Sequence, residues 1–161
     1  MLRYVTLAPA LIVATTAQEN RAAMSKHATG NFDVKLALLI LSDVAAGPAL
    51  GRMSIDKQYH GQLEGTGNGE MLTAMSPEVK NSGTYVAVER VEGALDGRKD
   101  TFCLQRVGIM TRGAQNLSIA VVPDSGTGEL TGITGTLNIK IEGGRHYYDF
   151  RVQAVTATGR S

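Results

Sequence analysis

The side chains with chemistry to offer are few in this 161-residue chain: three histidines, one cysteine, five tyrosines and a scatter of carboxylates. Glu89 stands out among the carboxylates. In Tyr85-Val86-Ala87-Val88-Glu89-Arg90-Val91 it shares strand parity with Tyr85, Ala87 and Val91, mostly apolar company. A carboxylate turned into an apolar interior resists ionisation unless it is paired, and a group so placed can act as general acid or base. His60, in Ile55-Asp56-Lys57-Gln58-Tyr59-His60, is the second candidate for proton transfer, so Glu89 and His60 form the catalytic pair the sequence offers. The favoured rival reading of Glu89 is structural: it lies on an outer face, or Lys57 neutralises it. Tyr85, Gln105, His146 and Tyr148 are the candidate ligand-orienting residues. Cys103 stands alone, which excludes an intramolecular disulfide and a cysteine zinc cluster, and the sequence places no activating base beside it.

No nucleophile elbow, HExxH pair or phosphate loop is present. Gly65-x-Gly67-x-Gly69 is a trace of a phosphate-loop pattern, read here as part of a hairpin turn rather than a strand-to-helix junction, so no nucleotide site is expected. His60 and His146 with Glu64 or Glu89 lack the short spacing of metal ligands, and neither a metal nor another cofactor is expected. Lys and Arg total 16 against 15 for Asp and Glu, a net charge of +1. That balance argues against a nucleic-acid partner, which usually meets a basic domain. No apolar run reaches the ~20 residues of a membrane-spanning helix, and no membrane association is expected.

The elements that must position these residues are strands. From Ala28 onward apolar residues recur with period two, the signature of half-buried strands. Thr136–Glu142 and His146–Val152 both alternate cleanly, and Gly143-Gly144 between them suits a two-residue hairpin turn. The register follows: paired positions sum to 287, so that Leu137 faces Phe150 and Ile139 faces Tyr148. A second pairing, with a turn at 97–100 and positions summing to 197, sets Gln105 opposite Glu92. Strands are predicted near 28–36, 52–64, 69–75, 84–95, 101–110, 116–122, 127–132, 136–142 and 146–153. Leu36–Ala46 extends the first strand or forms a short helical turn. Glycine is abundant, 19 of 161 residues, against an average of ~7%. Short antiparallel strands with glycine corners point to an all-β fold, a closed antiparallel up-and-down β-barrel of about eight strands, because closure removes exposed edges. A β-sandwich is the rival architecture.

Residues 1–23 differ in kind from the rest. Two positive groups precede an apolar stretch from Tyr4 to Ala14, followed by small residues before Gln18, the outline of a secretory signal. The favoured alternative is an internal start at Met24. The expected organisation is an N-terminal signal or extension over 1–23, one barrel domain over 24–155 and a tail over 156–161. Location is then cytoplasmic, or outside the cell if residues 1–17 act as a signal.

GRMSIDKQYHGQLEGTGNGEML (51–72), TYVAVERVEGALDGRKDTFCLQ (84–105) and VVPDSGTGELTGITGTLNIKIEGGRHYYDF (121–150) closely resemble the DUF3224 family of small bacterial proteins, over about Ala28 to Val152. The resemblance implies a barrel similar to that of allene oxide cyclase, a fold often assembled as small homo-oligomers, and an internal start near Met24. It implies no catalytic set. Two segments depart from the family pattern: LALLILSDVAAGPAL (36–50) is more apolar, and Arg106 stands where a histidine is common. Two readings of function follow. One is a barrel that binds a small hydrophobic molecule, with isomerase or cyclase activity as its catalytic form. The other is a structural or protein-interaction barrel working as a homo-oligomer.

Overall fold

The alternation of the sequence is realised as eight strands. The computed structural model describes residues 25–42 and 49–154; the N-terminal segment 1–23, the second part (43–46) of the run from Leu36 to Ala46, and the tail 156–161 lie outside the described residues. The strands are β1 (Ser25–Leu39), β2 (Leu50–Gly61), β3 (Leu63–Met75), β4 (Gly83–Leu95), β5 (Arg98–Thr111), β6 (Ala114–Val121), β7 (Ile133–Glu142) and β8 (Arg145–Ala154). Each pairs antiparallel with the next in sequence, and β8 returns to β1, so the sheet closes into an up-and-down barrel. Leu36–Leu39 extends the first strand, one of the two alternatives left open for it.

The β7–β8 hairpin has the expected register, Leu137 opposite Phe150 and Ile139 opposite Tyr148. Its turn residues Gly143 and Gly144 have φ of 57° and 76°, the left-handed region that glycine enters without steric cost. Three expectations are corrected. The β4–β5 turn is the two-residue Asp96-Gly97, which shifts the register by four: Glu92 faces Thr101, and Gln105 faces Val88. Segment 127–132 is no strand; it holds a 3-10 turn, Gly128–Leu130, and positive φ at Gly128 within the turn and at Gly132 after it breaks the alternation. Gly65, Gly67 and Gly69 do not form a hairpin corner. Chain reversal occurs earlier, at Gly61-Gln62, and all three glycines lie inside β3.

Inward side chains fill the barrel in layers. The end at which β1 begins is packed by Leu63, Leu95, Phe102, Phe150 and Ile133, with Leu130 of the 3-10 turn set across it. Phe102 and Phe150 meet at 5.7 Å between ring centroids. A smaller apolar cluster, Ile55, Met71 and Ala87 with Val34, Met53 and Tyr85 against it, lies towards the other end. By register, the layer between the two clusters holds charged side chains, with Val34 packed against both clusters.

Candidate functional site

Lys57 and Tyr59 on β2 follow Ile55 at two-residue intervals, so all three point inward; Glu89 on β4 points inward between Ala87 and Val91. β3 stands between β2 and β4, and ordinary inward side chains on it would keep these groups apart. Its inward positions at this height are Gly65, Gly67 and Gly69. A Cβ at Gly67 would come within 2.1 Å of Glu89 Oε1 and 2.9 Å of the Tyr59 ring. The glycine row is therefore a trough in the wall, across which β2 and β4 exchange polar contacts.

Three donors converge on Glu89. Lys57 Nζ donates to Oε2 at 2.8 Å, Tyr59 donates its hydroxyl proton to Oε1 at 2.6 Å, and Arg106 Nη2 donates to Oε2 at 3.2 Å. Lys57 Nζ also lies 3.2 Å from the Tyr59 hydroxyl oxygen and 4.7 Å from the centre of the Phe32 ring, where a cation is attracted by the ring face. Lys57 and Glu89 are each only 2% exposed. Burial pushes the Lys57 ammonium down to about 8, and outweighs the opposing attraction of Glu89. Burial, followed by the charge of Glu89, raises the Tyr59 phenol well above its usual range. With Lys57 and Arg106 cationic and Glu89 anionic, the layer carries one net positive charge.

Below this layer Tyr148 is also buried. Its hydroxyl accepts from the Leu63 amide at 2.9 Å and lies 3.2 Å from the carbonyls of His60 and Leu63. Burial raises its pKa, against the opposing effect of the Leu63 amide. Tyr148 thus ties β8 to the β2–β3 corner, while its ring meets that of Tyr59 edge-on at 5.8 Å.

The residues read from the sequence separate into two groups. Glu89, Tyr85, Tyr148 and His146 share the inner face: Tyr85 lies against Gly108, and His146 stacks on Phe32 with centroids 5.1 Å apart. The structure does not bring His60 or Gln105 to them. His60 alternates with Tyr59 and so emerges on the outer surface, near Asp33 at 3.3 Å and Glu64 at 3.5 Å. Gln105, displaced by the corrected register, is exposed on the outer face between Val88 and Ala120. Of the favoured structural alternatives for Glu89, the pairing with Lys57 is what the geometry contains. Tyr59 and Arg106 complete the cluster without having been singled out as site residues. The available signal was parity: a lysine at an inward position between Ile55 and Tyr59 demands a buried partner.

Residues 28–152 match the family described as Protein of unknown function (DUF3224). The chain belongs to the DUF3224 family. Among solved structures it is similar to a DUF3224 protein of unknown function from Shewanella oneidensis MR-1, with 47% identity, a TM-score of 0.78, and coverage of 83% of this chain and 100% of that one. A search of curated proteins finds no match. In this DUF3224 barrel, Arg106 falls on the inner face, in hydrogen-bond contact with Glu89. Among the described residues, no group of three or more His, Cys, Asp or Glu side chains is arranged to hold a metal.

Proposed function

We propose that this barrel binds a small, largely apolar molecule at the end where β3 stops and β4 starts. The observation that carries this reading is the lining of that end. All four methionines of the described residues, Met53, Met71, Met75 and Met110, occupy inward positions there, and methionine adapts its shape to different apolar partners. A cavity of about 200 Å³ opens among Met75, Tyr85, Met110, Gln115 and Leu117. It is smaller than the ~300–1,000 Å³ of ordinary ligand sites, which restricts the ligand to a small molecule. Neither Glu89 nor His60 lines this cavity. An isomerase or cyclase using Glu89 would require substrate to reach a carboxylate that is buried beneath the cavity and already holds three donors. Binding alone needs no such rearrangement and is the form the geometry supports best.

A thermal-shift series with small apolar molecules tests the reading. A ligand bound only by the native state at 100 times its Kd adds about 2.7 kcal/mol of stability, a readily measured rise in Tm. Met110→Trp, which fills the cavity, should remove the shift. Flat melting curves across chemically diverse compounds would defeat the proposal.

A second reading, self-association, is favoured by a separate observation. On the outer face, Leu72, Val86 and Val107 are direct cross-strand neighbours, and all are exposed. Ile109 and Val88 widen the patch. The adjoining charges are already matched within the chain, Arg52 with Glu70 and Arg90 with Glu92. The face therefore offers no net charge to an oppositely charged partner and suits another copy of the same apolar surface. Sedimentation should give an assembly for the wild type and a monomer for Val86→Lys; a wild-type monomer at high concentration would sink this second reading.

A further inference from the structure

Arg106 is the member of the charged layer that its internal contacts leave incompletely used. Among the described residues its side chain makes one hydrogen bond, from Nη2 to Glu89, and is 12% exposed. No buried side-chain nitrogen or oxygen lacks a partner, so the other guanidinium N–H groups retain access to solvent. Lys57, by contrast, is sealed between Glu89, Tyr59 and the Phe32 ring.

The position of Arg106 gives that spare capacity a direction. Its cross-strand neighbours are Ala87 and Ile119, and the next inward positions along the three strands are Gly108, Tyr85 and Leu117, all in the cavity lining. Arg106 therefore occupies the layer directly beneath the cavity. Above this layer, towards the open end, the inward positions of the described residues contain no carboxylate, and their polar side chains are Thr73, Tyr85, Gln115 and His146. The cluster's one net positive charge thus has no counter-charge in the wall above it.

We infer that the open end takes an amphipathic molecule bearing one negative charge. Its carboxylate-like group sits against the free edge of Arg106, and its apolar body follows the methionine and Tyr85 wall. This rests on the ligand-binding reading above and adds the charge of the ligand. A guanidinium presents paired donors that match a carboxylate, and such bonds are stronger than neutral ones. The second positive charge, on Lys57, keeps the layer attractive to an anion although Glu89 already occupies one edge of Arg106.

The test uses the full chain and three probes with a common eight-carbon body: octanoate, 1-octanol and octylammonium, each titrated calorimetrically at neutral pH. Octanoate is expected to bind at least about tenfold more tightly than 1-octanol, with octylammonium the weakest. Arg106→Gln should reduce the octanoate preference to about twofold or less. Equal binding of octanoate and 1-octanol would overturn the anionic assignment and leave apolar binding standing. Binding of none of the three would overturn the ligand reading and this inference together. Should Arg106→Gln fail to fold, the wild-type Arg106 Nε–H resonance decides: it must shift with octanoate and stay unmoved with 1-octanol, and the converse sinks the assignment.

Discussion

Glu89 is held by opposite charge on two sides, and removing either side has unequal consequences. Glu89→Gln leaves the buried Lys57 and the partly buried Arg106 as two cations with no anion between them. Breaking a buried pair in this way costs about 3–5 kcal/mol. Lys57→Met leaves Glu89 with Arg106 and Tyr59, and the loss should be nearer the ~1.5–3 kcal/mol of one hydrogen bond to a charged group. The double variant should recover part of the Glu89→Gln loss, since one of the stranded cations is gone. Urea denaturation of the three proteins checks the order, and a Lys57→Met variant less stable than Glu89→Gln would contradict it. The same pair sets a pH dependence. Burial lowers the folded-state pKa of Lys57 to about 8, from the 10.5 of a free lysine, so between these values the unfolded chain binds more protons than the folded one. Stability should therefore rise with pH through this window, as the cost of a buried ammonium disappears. Tyr59 acts in the opposite sense above pH 10, where the unfolded phenol ionises and the buried one does not. The net expectation is a gain from pH 8 to 10 that Lys57→Met lacks; an identical pH profile in that variant would refute it.

At the scale of the strand, β3 decides whether the charged layer can exist. Its inward glycines are not turn residues, and Gly67 has no positive φ to explain it; the requirement is space. Gly67→Ala places a Cβ where the Glu89 carboxylate and the Tyr59 ring now lie, and overpacking of this kind costs about 1–3 kcal/mol. The loss should shrink sharply in a Gly67→Ala/Glu89→Ala background, where the obstructing carboxylate is absent. An undiminished loss there would show that the glycine serves the backbone instead. The sequence revealed part of this arrangement. Period two and the Gly143-Gly144 turn yield the β7–β8 register, because both strands agree on their buried face. They do not reveal the trough: a glycine row in a strand and a glycine-rich corner have the same composition, and only the position of the reversal at Gly61 separates them. The inward direction of Glu89 follows from parity within β4. The pairing with Lys57 was one of its legible alternatives, but parity does not supply Tyr59 as a second partner two strands away, and Arg106 depends on a register that a four-residue misplacement of the Asp96-Gly97 turn displaces.

The whole barrel is unequally closed. β1 to β5 pair continuously over ten or more residues at each junction, and β5 pairs with β6 from Leu104 to Thr111. Between β6 and β7 the register contains only Ala120 opposite Thr136. The cause is the intervening segment, which leaves the wall instead of turning tightly. Val122 and Thr127 donate their amides to Cys103 and Thr101 of β5, and Leu130 is carried across the barrel end. The chain thus caps one end at the expense of ladder bonds in the wall, and the β6–β7 junction is where the barrel opens at least cost. Local opening exposes amides at a free energy below that of global unfolding. In native-state hydrogen exchange, the amides of β6 and the β6-facing edge of β7 should lose protection at lower denaturant than those of β3 and β4. Exchange of all four strands along a single global isotherm would mean that the packed end, with Leu130, Phe102 and Phe150 interlocked, holds the junction shut without the ladder.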